Sequence, residues 1–164
     1  MRKSAMSALE PKGQIGNFQS VTEQDSIFNS EHLKGNRWLI TILGADAARE
    51  TSSKDILKLF TQSNKDFNGH IFSIIGLFPG ESMDVAQNKF NWPKMPNWKV
   101  SYMAEKHVYI FSTDAFEIPE RLRNKPLAIL VDENGRIRNY YDLSDQNKLM
   151  ELVRHYPVFL SLKK

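Results

Sequence analysis

Two carboxylates four positions apart, Asp46 and Glu50, are the side chains of this sequence best placed for metal or proton chemistry. They fall where a helix is expected to begin, and a spacing of four puts both on one helical face. Such a pair could hold a hard cation such as calcium or magnesium, or share a proton as an acid–base couple. Acidic residues are also favoured at helix starts by capping and by the macrodipole, and Arg49 stands beside them to neutralise charge. Met95, Met103 and His107 form a second set, since thioether sulfur suits Cu(I) and imidazole suits either copper state. Methionine is equally a filler of core gaps, and His107 follows Lys106 on an expected helix surface. His32, His70 and His155 stand apart, without H-x-x-x-H or H-x-E spacing, and read as surface or capping residues. Gly13-Gln14-Ile15-Gly16 lacks the preceding strand and the Lys-Ser/Thr ending of a phosphate loop. No G-x-S-x-G elbow occurs.

The 164 residues include no cysteine. That excludes a disulfide, a thiolate nucleophile, a cysteine-based zinc site and an iron–sulfur cluster. Thiol oxidoreductase and thiol peroxidase activities go with them, and no other nucleophile–base constellation emerges to suggest an enzyme. Compartment is left open, because a cysteine-free chain is stable in reducing and oxidising surroundings alike.

Composition is that of a globular domain, with 41% hydrophobic and 25% charged residues. The net charge of +3 comes from scattered Lys and Arg, so a nucleic-acid groove is not indicated. The apolar runs Trp38 to Leu43 and Leu127 to Val131 have strand length, too short to span a bilayer. Met1-Arg2-Lys3 is similar to the basic start of a signal peptide, but no apolar stretch follows. Two expectations stand: a cytoplasmic protein with a loose N-terminus, or a trimmed precursor whose membrane contact ran through an anchor before Met1.

The elements that must position these residues follow from periodicity. Residues 1–14 read as a flexible lead-in and 15–164 as a single domain. Phe18 to Val21 and Ile27 to Asn29 form a hairpin about a polar turn. Trp38 to Leu43 and His70 to Leu77 read as buried strands. Between them Ile56, Leu57, Leu59, Phe60 and Phe67 repeat at helical spacing, with Thr51, Ser52 and Ser53 as caps. A second helix is expected over Glu81 to Phe90, a strand over Trp98 to Tyr102 and a short helix over Ala104 to Phe111. Leu127 to Asp132 and Arg136 to Tyr141 are strands about Asn134-Gly135, a dipeptide suited to a primed turn, and they would add an antiparallel edge. Ser144 would cap a final helix with Leu149, Leu152, Val153 and Tyr156 inward. The class is α/β, a mixed central sheet with helices on both faces and an N-terminal β-hairpin. In the irregular stretch Phe90 to Trp98, Trp98 fits the core, whereas Trp92 and Met95 suit an interface with another protein.

This order of elements resembles the thioredoxin-like fold, and several stretches resemble the Sco/SenC family within it. Asn29-Ser30-Glu31-His32-Leu33-Lys34-Gly35 is similar to the family's turn after its opening hairpin. Trp38 to Leu43 resembles the strand that leads into the family's Cys-x-x-x-Cys loop. Asn97-Trp98-Lys99-Val100 and the stretch Leu130 to Arg138 resemble two further family strands, and Tyr140-Tyr141-Asp142 with the closing helix also fits. Members of this family are membrane-anchored or periplasmic copper chaperones that assist assembly of cytochrome c oxidase. They bind copper through two loop cysteines and a distant histidine. Those positions fall here on Asp46, Glu50 and near Asn124, so all three ligands are absent. The resemblance also places Pro126 where thioredoxin-like proteins often carry a cis-proline; the alternative is a trans proline opening an edge strand. It therefore implies a scaffold without its family's chemistry. The expected function is non-catalytic, redox-inactive and without a cofactor: binding of a protein partner, as an assembly factor for respiratory complexes or envelope proteins in the periplasm. The alternative is a metal-binding protein using non-thiolate ligands, Asp46 and Glu50 or the Met/His set.

Overall fold

A computed structural model describes residues 6–22, 26–45, 69–82, 84–85 and 97–162. The helix expected through Ile56 to Phe67, within 51–68, and most of that expected over 81–90 lie outside the described residues. All six residues of β4, Trp38–Leu43, are buried, as a near-continuous apolar run requires when both sheet faces are covered. β4 pairs in parallel with β5, His70–Leu77, which pairs in parallel with β6, Trp98–Ala104. On its other side β4 pairs antiparallel with β7, Leu127–Val131, the first strand of a hairpin with β8, Arg136–Asp142. β1, Gly13–Gln14, joins β8, so the sheet runs β1-β8-β7-β4-β5-β6. β2, Gln19–Val21, and β3, Ile27–Asn29, make a separate two-stranded ribbon.

Alternation sorts the side chains between two cores. Trp38, Ile40, Ile42, Phe72, Ile74 and Ile129 meet α1, Glu105–Phe116, through Val108, Ala115 and Phe116. Leu39, Leu43, Ile71, Ile75 and Leu130 share the opposite cluster with Leu152, Tyr156 and Phe159 of α2, Gln146–Leu160. The ribbon lies over the first face. Phe18 stacks on Phe72 with centroids 6.0 Å apart, and the Ser20 and Ser101 hydroxyls meet at 2.6 Å.

Several expectations are corrected. Residues 6–14 are no loose lead-in: Leu9 is buried in the α2-side core, and the Lys12 amide donates to the Ile137 carbonyl at 2.7 Å. The single buried Leu9 in a mostly polar stretch was too little signal. α1 continues to Phe116 rather than stopping at Phe111, because Val108, Ser112, Ala115 and Phe116 keep a buried stripe through polar sequence. The β7–β8 hairpin is interior, with β1 beyond it. Its turn is not primed: Gly135 alone there has positive φ, +75°, and the Gly135 amide closes the turn on the Asp132 carbonyl at 3.0 Å. Asp145, not Ser144, caps α2, accepting from the Asn147 amide at 2.9 Å.

Candidate functional site at the carboxyl ends of the parallel strands

Ligands of open α/β sheets gather outside the carboxyl ends of the parallel strands, because loops leave the sheet there and helix N-termini point to the same place. In this chain that end is built on two glycines. A Cβ on Gly76, near the end of β5, would come within 2.9 Å of the Ala45 amide nitrogen and 3.3 Å of the Glu105 Cα. A Cβ on Gly44, just past β4, would collide with the Tyr109 hydroxyl and lie 2.9 Å from Glu105 Oε1. The chain after β4, the end of β5 and the first turn of α1 therefore converge with no room for side chains between them.

Beside this junction lies a cleft of about 590 Å³. Leu77, Phe78, Pro79, Ala104 and Tyr109 give it a mainly apolar wall, with Glu105 at the start of α1. The β5 end turns through Gly80, at φ +80°, and the Glu81 carboxylate accepts from the Phe78 amide at 3.3 Å, which fixes the Phe78 side of the wall. The charged side chains of Glu81, Glu105 and Lys106 share the lining with these apolar groups.

The perturbed titratable groups lie elsewhere. Burial would raise the Asp132 carboxyl, but the Arg136 amide, the Arg138 guanidinium and the Asn134 amide outweigh it and hold it low. Burial pushes the Tyr141 hydroxyl up and His155 down, and the two meet at 2.7 Å between β8 and α2. These belong to the β7–β8 hairpin and the α2 side, so they anchor the fold rather than serve the cleft.

Of the residues singled out from sequence, Asp46, Glu50, Trp92 and Met95 lie outside the described residues. Asn124 is exposed with φ +62°, a left-handed turn position that asparagine tolerates better than most residues. The bond before Pro126 is trans, contrary to the cis alternative. Pro126 sits one residue before β7, where its missing N–H costs no ladder bond, and its carbonyl accepts from the Leu143 amide at 2.9 Å. β7 is an interior strand, so the trans proline does not open an edge. Met103 is half-buried against the α1-side core, while His107 is exposed with its ring 6.1 Å from Phe111. Among the described residues no three His, Asp or Glu side chains gather as a metal site. Sequence reasoning missed Gly44, Gly76 and Tyr109; glycines at the ends of two adjacent strands were the available signal.

Solved structures settle the architecture. A putative thiol:disulfide interchange protein DsbE from Chlorobium tepidum superposes with a TM-score of 0.67 at 10% identity, covering 93% of this chain and 99% of that one. The fold is thioredoxin-like. A SCO1/SenC family lipoprotein from Bacillus anthracis matches this thioredoxin-like chain with a TM-score of 0.64 at 16% identity, over 87% of this chain and 92% of that one. Yeast Sco1 with copper bound matches at a TM-score of 0.57 and 14% identity, over 89% and 90%. No protein-family model matches the sequence, and no curated protein does. The thioredoxin-like scaffold is thus present in a chain that has no cysteine to place on it.

Proposed function

We propose that this chain is a non-catalytic, redox-inactive protein of thioredoxin-like fold that works by binding another protein, with the cleft beside Gly44 and Gly76 as the docking place. One observation carries the reading: the carboxyl end of the parallel strands β4 and β5 has a largely apolar 590 Å³ cleft beside it, in a sequence without a thiol. A surface of this kind gains affinity from burying Phe78 and Tyr109 against a partner and needs no reacting group. The partner is an extended, apolar-rich segment of a protein under assembly. Likeness in fold to Sco structures, one of them described as a member of a family of cytochrome c oxidase assembly proteins, favours respiratory-complex or envelope assembly as the setting. Periplasmic or membrane-associated placement belongs to the same proposal.

The test compares partners that co-purify at fixed stoichiometry with the tagged wild-type chain and with Phe78→Asp. Phe78 is half-buried at the cleft, so a charge there spoils docking while leaving the two cores intact. Loss of the stoichiometric partner from Phe78→Asp, with retention by His107→Ala on the outer side of α1, is the expected result. Equal recovery from both variants would overturn the proposal.

A further inference from the structure

A second pocket lies at the opposite, amino-terminal end of the parallel strands. Trp38 and His70 are the first residues of β4 and β5 and are paired in register, and Lys99 is the second residue of β6. The β2–β3 ribbon closes over them with Ile27 and Phe28, leaving a pocket of about 320 Å³. The aromatic rings form a continuous wall. His32 stacks on Phe28 at 5.5 Å with planes 16° apart, Phe28 meets Trp38 at 5.4 Å, and Trp38 meets His70 at 5.0 Å.

The polar lining carries one cation and several donors, beside the hydroxyls of Thr22 and Ser26, which can donate or accept. Lys99 supplies an ammonium, and among the described lining residues there is no carboxylate to face it. The Nδ1 of His32 accepts from the Asn29 amide at 3.0 Å, so its ring proton sits on Nε2 and is available to donate. Trp38 is 3% exposed, and its indole N–H is buried with no acceptor among the described residues. An unmet buried donor costs free energy. Burial lowers His70, keeping it neutral near pH 7, so Lys99 is the cation of the pocket.

We propose that this pocket binds a small aromatic carboxylate, its ring against Phe28 and Trp38 and its carboxylate toward Lys99. The volume suits a single-ring ligand, which aromatic walls hold by stacking. The charge of the lining selects an anion over a cation or a neutral ring. This site is separate from the cleft at the carboxyl end, and neither depends on the other.

The experiment is a titration of the full ¹⁵N-labelled chain with sodium benzoate, followed by amide and indole N–H resonances. The Trp38 indole signal is assigned from its absence in Trp38→Phe, and the Trp98 indole, in the opposite core, serves as internal control. Saturable shifts of the Trp38 indole and of the Phe28 and Lys99 amides are expected, with the Trp98 indole unmoved. Lys99→Gln, a change at a half-buried position, is expected to weaken binding about tenfold, and benzamide is expected to bind about tenfold less tightly than benzoate. No saturable shift would overturn the proposal, including the case in which a carboxylate of the chain already neutralises the pocket. Equal affinity for benzamide, or displacement of benzoate by inorganic phosphate at equal concentration, would overturn it as well.

Discussion

The hydroxyl of Tyr109 occupies the space that a Cβ on Gly44 would fill. One residue lies just beyond the central strand β4, and the other lies in the second turn of α1. Their contact ties the segment after β4 to the helix that walls the cleft. The neighbouring Gly76 completes the junction through backbone atoms rather than a side chain.

Those two glycines differ in what they would meet, and stability should report the difference. At Gly44 the obstacle is the tip of a side chain, which can swing away. At Gly76 it is the backbone of residues 44, 45 and 105. Gly76→Ala should destabilise by about 1–3 kcal/mol, the range for overpacking, and Gly44→Ala by clearly less. Urea unfolding of both variants measures this, and equal losses would refute the converging backbones.

Arg37 joins the other end of the sheet to α2. Its Nε lies 2.8 Å from Glu133 Oε2, its Nη1 donates to the Phe159 and Leu160 carbonyls at 2.9 Å each, and its Nη2 donates to the Leu162 carbonyl. The guanidinium thereby satisfies the last carbonyls of a helix, where a cation is favoured. Arg37→Ala strands a nearly buried Glu133 as well and should cost about 3 kcal/mol. Arg37→Lys should recover only part, because an ammonium cannot match the planar fork. Chemical denaturation gives the totals, and faster amide exchange confined to residues 159–162 would show the local fraying.

Acid should act through Asp132. Its Oδ1 accepts the Asn134 and Arg136 amides at 2.9 and 3.0 Å, and its Oδ2 accepts from Arg138 Nε at 2.8 Å. The folded state therefore holds this carboxyl below its ordinary value, despite burial. Such a group stabilises fully above the unfolded pKa of about 4, and the contribution is lost as pH falls through the folded value. Asp132→Asn should be less stable than wild type at pH 7 and lose less on acidification. Parallel unfolding curves from pH 7 to pH 3 check it; equal acid losses in the two proteins would assign the sensitivity elsewhere.

The strands were readable in the sequence because Trp38 to Leu43, His70 to Leu77 and Leu127 to Val131 are apolar runs that only a covered sheet accommodates. Their order made the thioredoxin-like arrangement legible too. What stayed hidden depended on contacts distant along the chain. Leu9 looks like any residue of a polar tail until β1 brings it to β8. Ser112 breaks an apolar pattern, yet it faces the core of α1. The cleft depends on glycines whose role appears only when three segments meet, and the second pocket on Trp38, His70 and Lys99, whose strands become neighbours only in the sheet. Met103 and His107 show the converse, a plausible spacing whose members serve the core and the surface separately.

Copper should find no thiolate-like site. Soft Cu(I) is held tightly by thiolate, and this chain has none to offer. Calorimetric titration with Cu(I) in the presence of a competing chelator should show no one-to-one retention, and Met103→Leu or His107→Ala should change nothing. Tight binding abolished by Asp46→Ala/Glu50→Ala would instead place a metal at Asp46 and Glu50 and favour a metal-binding function.

The central claim, that the cleft receives another protein, is tested most directly by placing a photo-cross-linking amino acid at Phe78 in cells, with a second chain carrying it at exposed Met150 on α2. The account predicts one discrete adduct from Phe78, identified by mass spectrometry as a single protein and absent from the Met150 chain. No adduct at Phe78, or the same mixture from both positions, would contradict it.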